Sequence, residues 1–106
     1  MVTIQSAAMH IGIDYLDDEM TAANLQRALD SAIYRLYGAI GRDVELYLEG
    51  DPRVDQLVLI YTEEAYDNHP GSAKQDAAKN HLRDALELQL LLELRALREE
   101  DGAENV

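Results

Sequence analysis

The sequence predicts an all-α fold, a small bundle of about four helices, on three observations. First, the chain has no Trp and no Phe, and its only aromatics are six Tyr. Its core must therefore come from Leu, Ile, Val and Ala, which favours helix packing over a β-sandwich. Second, apolar residues recur at steps of three and four through the longest segments, the period of an amphipathic helix. Third, cap and breaker residues separate those segments, at Gly12, Gly41, Asp51-Pro52 and Pro70-Gly71.

The first helix is expected over 3–11, with Thr3 as its N-cap and Gly12 as its stop. Ile13 to Asp18 reads as a turn in which Ile13 and Leu16 point inward. The second helix is expected over 19–40. Asp17, Asp18 and Glu19 place negative charge at its start, where the helix dipole favours it. Ala22, Leu25, Leu29, Ala32, Ile33, Leu36 and Ile40 form its apolar stripe. Between Arg42 and Gly50 the apolar residues Val44, Leu46 and Leu48 alternate with polar ones. A single strand there has no partner, so an irregular connection or a brief helical turn is expected.

The third long helix is expected over 52–68. Asp51 is a strong N-cap, and Pro52 suits the first helical position, where a missing N–H costs nothing. Its run Leu57-Val58-Leu59-Ile60-Tyr61 is apolar on every side, so this helix should be central. The last helix is expected over 73–99, opened by Ser72 and Gln75 at capping-box spacing. Residues 1–99 then form one helical domain, and 100–106 an acidic, flexible tail.

The last helix is the informative one. From Leu82 to Leu97, eight of sixteen residues are Leu. At about 100° per residue they make two faces. Leu82, Leu86, Leu90, Leu94 and Leu97 share one, which can pack on the rest of the bundle. Leu88, Leu91 and Leu92 lie on another, with Ala85 and Ala96 at its margin. Each Leu left in water forgoes roughly 1.5–3 kcal/mol of burial, and three on one face make a patch that monomers rarely expose. At 1.5 Å per residue the helix is about 40 Å long. It is therefore expected to project and to pack against another copy through Leu88, Leu91, Leu92 and Arg95. The competing reading has Leu16, Leu46 and Leu48 cover the second face within one chain.

Several functions are disfavoured. With nine Lys and Arg against 21 Asp and Glu, the net charge is −12. Gripping nucleic acid needs cations to neutralise phosphates. There is no Cys, hence no disulfide scaffold, thiolate zinc site or cysteine nucleophile, which fits a reducing cytoplasm. The first ten residues read as no signal peptide. No apolar run of membrane-spanning length occurs, and the last helix lacks the Lys/Arg-rich polar face of a membrane-surface helix. Asp14, Asp17, Asp18 and Glu19 lack calcium-loop spacing. His10, His69 and His81 share no ligand spacing. Ser6, Ser31 and Ser72 have no nucleophile motif around them. Glu63 and Glu64 diverge by about 100° on their helix, so they are no acid/base pair. No catalytic activity, cofactor or metal is expected.

Three strings, in order, carry a resemblance. His10-Ile11-Gly12-Ile13-Asp14 is followed by the acidic Asp17-Asp18-Glu19. Leu57-Val58-Leu59-Ile60-Tyr61 leads to Glu64, Tyr66, Asp67 and Asn68. Leu91-Leu92-Glu93-Leu94-Arg95 lies in the last helix. By their order and spacing, over about residues 3–97, the chain resembles the small head–tail connector (adaptor, head-completion) proteins of tailed double-stranded DNA bacteriophages. Gly12 and His69 stand where that family usually has Arg. The resemblance implies a structural virion protein of the neck, made in the host cytoplasm, that forms a ring of about twelve copies under the portal protein. Such a ring extends the DNA channel and docks a downstream neck, stopper or tail protein. DNA would pass without sequence-specific binding, and acidic channel walls would repel its phosphates; the simpler reading of the charge is solubility. A different class also fits the residues: a small regulatory or binding module, antitoxin-like or an adaptor, that dimerises through the Leu-rich helix.

Overall fold

A computed structural model describes residues 2–13, 17–66 and 77–104. It contains five helices: α1 (Ile4–Ile11), α2 (Glu19–Ala39), α3 (Val44–Tyr47), α4 (Pro52–Tyr66) and α5 (Ala77–Glu104). The fold is all-α, as expected. Ser72, Gln75 and the Pro70-Gly71 break lie outside the described residues, as do Asp14, Leu16 and His69.

Local sequence explains most boundaries. The Thr3 hydroxyl accepts the Ser6 N–H at 3.1 Å and the Ser6 hydroxyl accepts the Thr3 N–H at 3.0 Å, so α1 opens on a reciprocal cap. Gly12, at φ 91°, closes it in the left-handed conformation that glycine adopts without strain. Asp18 caps α2 positionally, and its carboxylate accepts the Thr21 hydroxyl at 2.6 Å. At α4 the Asp51 carboxylate accepts the Arg53 N–H at 2.9 Å, with Pro52 between them. That is the expected N-cap, with Pro at the first helical position.

The connection 42–50 resolves into the single helical turn α3. Val44 and Leu48, four apart, are buried, whereas Leu46 is 76% exposed. The helical period wins over alternation because α3 buries one side only.

α4 is the central helix: it meets α1, α2 and α5, and α5 also packs on α3. The main core joins Leu29, Ala32 and Leu36 of α2 to Leu57, Val58, Ile60 and Tyr61 of α4 and to Leu86, Leu90 and Leu94 of α5. A smaller core sets Ala7 and Ala8 of α1 against Leu25, with Leu59 and Tyr66 packed on it. Thr62, fully buried, donates its hydroxyl to the Val58 carbonyl at 2.7 Å, so no polar atom is stranded there.

Two expectations need correction. α5 does not stop at Glu99. It continues to Glu104, through most of the segment assigned to a flexible acidic tail. The cause is tertiary: the Tyr47 hydroxyl donates to Asp101 at 2.6 Å, and Arg98 is clasped to Asp43. Leu82, placed on the packed face, is 42% exposed at that face's edge. The radius of gyration is 15.5 Å, above the about 13 Å of a compact chain of this length. The molecule is elongated, and its 28-residue last helix accounts for about 42 Å at 1.5 Å per residue.

Leu90 is fully buried in the main core. Leu90→Ala should lower unfolding free energy by about 2–5 kcal/mol. Leu88→Ala, at an exposed site, should cost about 0.5 kcal/mol or less. Urea denaturation at a concentration where the chain is monomeric compares the two.

Candidate assembly surface

α5 sorts its leucines by angle. Leu86, Leu90 and Leu94 are buried and Leu97 is partly buried against the same core. Leu88 and Leu92 lie about 160–200° from Leu90. They are 58% and 52% exposed, facing away from the bundle. Arg95 returns to within about 20° of Leu88 and is exposed. Leu88, Leu92 and Arg95 thus form one outward stripe at spacings of four and three. Leu91 does not belong to it. It sits about 60° from Leu94 and packs, partly buried, on the main core. Nor is the stripe covered from within the described chain. Leu48 is spent in the core and Leu46 is itself exposed.

The stripe is held rigid by charged clasps along the opposite side of α5. Arg83 and Arg35 both donate to Glu64, at 2.7 and 2.6 Å, joining α5 and α2 through α4. Arg35 also lies 4.2 Å over the Tyr61 ring. The Tyr61 hydroxyl donates to Glu87; burial, and then this bond, pushes the phenol well above its ordinary range. Arg53 bridges Asp51 and Glu93, at 2.6 Å each, and so pins the start of α4 to the middle of α5.

The fourth clasp is bidentate. Arg98 donates from Nε and Nη2 to both carboxylate oxygens of Asp43 at 2.5 Å, and from Nη2 to the Ile40 carbonyl at 3.3 Å. The guanidinium holds the Asp43 carboxyl below its usual range. It passes so close to Gly41, at φ +134°, that a Cβ there would fall 2.2 Å from Arg98 Nη2. Only glycine suits that position.

Beside this clasp lies a cleft of about 290 Å³ between α3 and the first turn of α4. Val44, Leu48 and Val54 make its floor. Glu45, Glu49, Asp51 and Asp55 stand around it. The Tyr37 hydroxyl donates to Glu45, and Asp51 is taken by Arg53. The cleft is at the small end of the range of roughly 300–1,000 Å³ for small-molecule sites, and its polar side chains are all carboxylates. It suits an inserted side chain better than a small ligand. Nothing in the sequence marked it, because its walls come from two elements and its floor from residues that also serve the core.

Among the described residues, no three His, Asp or Glu side chains are grouped to hold a metal. His10 meets Glu63 at 3.1 Å, tying α1 to α4, and His81 is exposed on α5. Among the described residues no helix is long and apolar enough to cross a membrane. No family model, curated protein or solved structure matches the chain.

Because Asp43 titrates below its unfolded value of about 3.9, its ion pair adds stability above that pH and loses it as pH falls through the depressed folded value. The stability gap between the wild type and Asp43→Asn should be constant from pH 7 to 5 and close below about pH 4. Thermal unfolding of both proteins across that range tests this.

Proposed function

We propose that the protein is a structural, non-catalytic assembly protein: a head–tail connector that forms a ring beneath a phage portal, extends the DNA channel and receives the next neck protein. The observation that carries assembly is the outward stripe of α5. Two half-exposed leucines sit one turn apart on a helix that three arginine clasps and a tyrosine hydrogen bond tie to the bundle. Each is already about half buried, so covering it in a contact gains roughly half of the ~1.5–3 kcal/mol of a full leucine burial. The choice of a connector over another assembling protein rests on the resemblance of the three strings noted above. The acidic surplus of the chain fits a conduit for DNA, since it repels phosphates instead of binding them.

The reading predicts a ring of ten or more copies when the chain is concentrated, measured by native mass spectrometry. The double substitution Leu88→Glu and Leu92→Glu should leave a helical, folded monomer at every concentration. A stable wild-type dimer would favour the regulatory or binding module instead. Unfolding of the double variant would place those leucines in the core of one chain and remove the structural support for assembly.

A further inference from the structure

Copies of a chain with net charge −12 repel one another, and a contact that sets a spare cation against spare anions offsets that repulsion. Most arginines are already engaged within the chain. Arg35, Arg53, Arg83 and Arg98 are in ion pairs. Arg27 reaches Asn24 at 3.5 Å, and Arg42 lies 5.5 Å over the Tyr37 ring. Among the described residues Arg95 is the arginine left without an ion pair, hydrogen bond or ring contact. It stands on the outward stripe, three residues past Leu92. On the same test, Glu49 and Asp55 are unpaired, and both stand at the α3–α4 cleft.

The two surfaces therefore match in both chemistries. One offers two leucines and a free guanidinium. The other offers an apolar floor and two free carboxylates, with exposed Leu46 on the same short helix. They share no residue, and the stripe faces away from the bundle, so one copy cannot satisfy itself. We infer that the α5 stripe of one copy, Leu88, Leu92 and Arg95, docks in the α3–α4 cleft of a second copy, with Arg95 against Glu49 and Asp55. This rests on the assembly reading above and specifies its contact. The contact is heterologous: each copy engaged by its stripe keeps a cleft free for the next. Where two copies do not fill each other's clefts about a two-fold axis, such a contact closes into a ring or runs on as a filament.

Surface charge swaps test it, because none of the three charged residues is in the core. Self-association is measured by sedimentation equilibrium up to millimolar concentration. Arg95→Glu should weaken it at least about tenfold, since it sets like charges together. Glu49→Arg with Asp55→Arg should weaken it as much, even though this pair lowers the net negative charge and so reduces general repulsion. All three substitutions in one chain should restore association to near the wild-type level. If the cleft pair associates like the wild type, or the triple variant is not restored, the docking proposal is overturned. Loss of association in Leu88→Glu/Leu92→Glu alone would then leave assembly through α5 standing with a different partner surface. A wild-type chain that stays monomeric throughout overturns both.

Discussion

The apolar girth of α4 sets how many neighbours that helix requires. Its residues Leu57, Val58, Ile60 and Tyr61 are buried, and Leu59 packs on the smaller core from another side. A helix with apolar residues on more than one face cannot be covered by one partner. α2 lies along one flank, α1 covers the side that carries Leu59 and Tyr66, and α5 closes the remaining side. Each neighbour then needs just one apolar face of its own. α2 supplies it through Leu25, Leu29, Ala32 and Leu36, and α5 through Leu86, Leu90 and Leu94. Once that demand is met, α5 still has Leu88 and Leu92 to spare. The surplus that points to assembly is what remains when the central helix has been fully covered.

Charge serves this packing in an unusual division of labour. The chain is strongly acidic, yet its few arginines lie mostly at the seams between helices. Glu64 gathers arginines from α2 and α5, Arg53 links α4 to α5, and Arg98 links α5 to the turn after α2. These pairs are partly exposed, so each is worth about 1 kcal/mol or less. Their role is to fix rotation. A helix whose core stripe is uniformly Leu can turn a little about its axis at small cost. The clasps along its flank hold the angle, and hence the direction in which Leu88, Leu92 and Arg95 face. Glu63, Glu87 and Asp101 serve seams as well, through His10, Tyr61 and Tyr47.

Elements set by neighbours in sequence were legible. Thr3 with Ser6, Gly12, and Asp51 with Pro52 each fix a helix end through bonds spanning at most four residues, and the expected ends agree closely. Elements set by distant partners were not. Val44, Leu46 and Leu48 satisfy alternation as well as a helical step of four. Only packing from α5 decides that Val44 and Leu48 go inward. The run after Glu99 holds Asp101 and Gly102, both poor helix formers, and so reads from sequence as a place for the helix to end. Its helix depends on Tyr47 and Asp43, more than fifty positions earlier. Leu91 was misplaced for an angular reason: it lies between the two faces, and the core of this bundle is wide enough to reach it. The outward face of Leu88 and Leu92 was readable from the 100° step alone, whereas the cleft opposite was not, because it exists only where α3 meets α4.

The reach of Arg98 to the Ile40 carbonyl gives the chain a direction in time. The last turn of α2 has its carbonyl met by a side chain made almost sixty residues later, and the main core is closed by leucines from the same late helix. During synthesis α1, α2 and α4 emerge first, with the apolar side of α4 that awaits α5 still bare. The main core therefore closes only after α5 has been made. A chain that lacks α5 is then the species most exposed to misassociation, and α5 is the lock on the helices made before it.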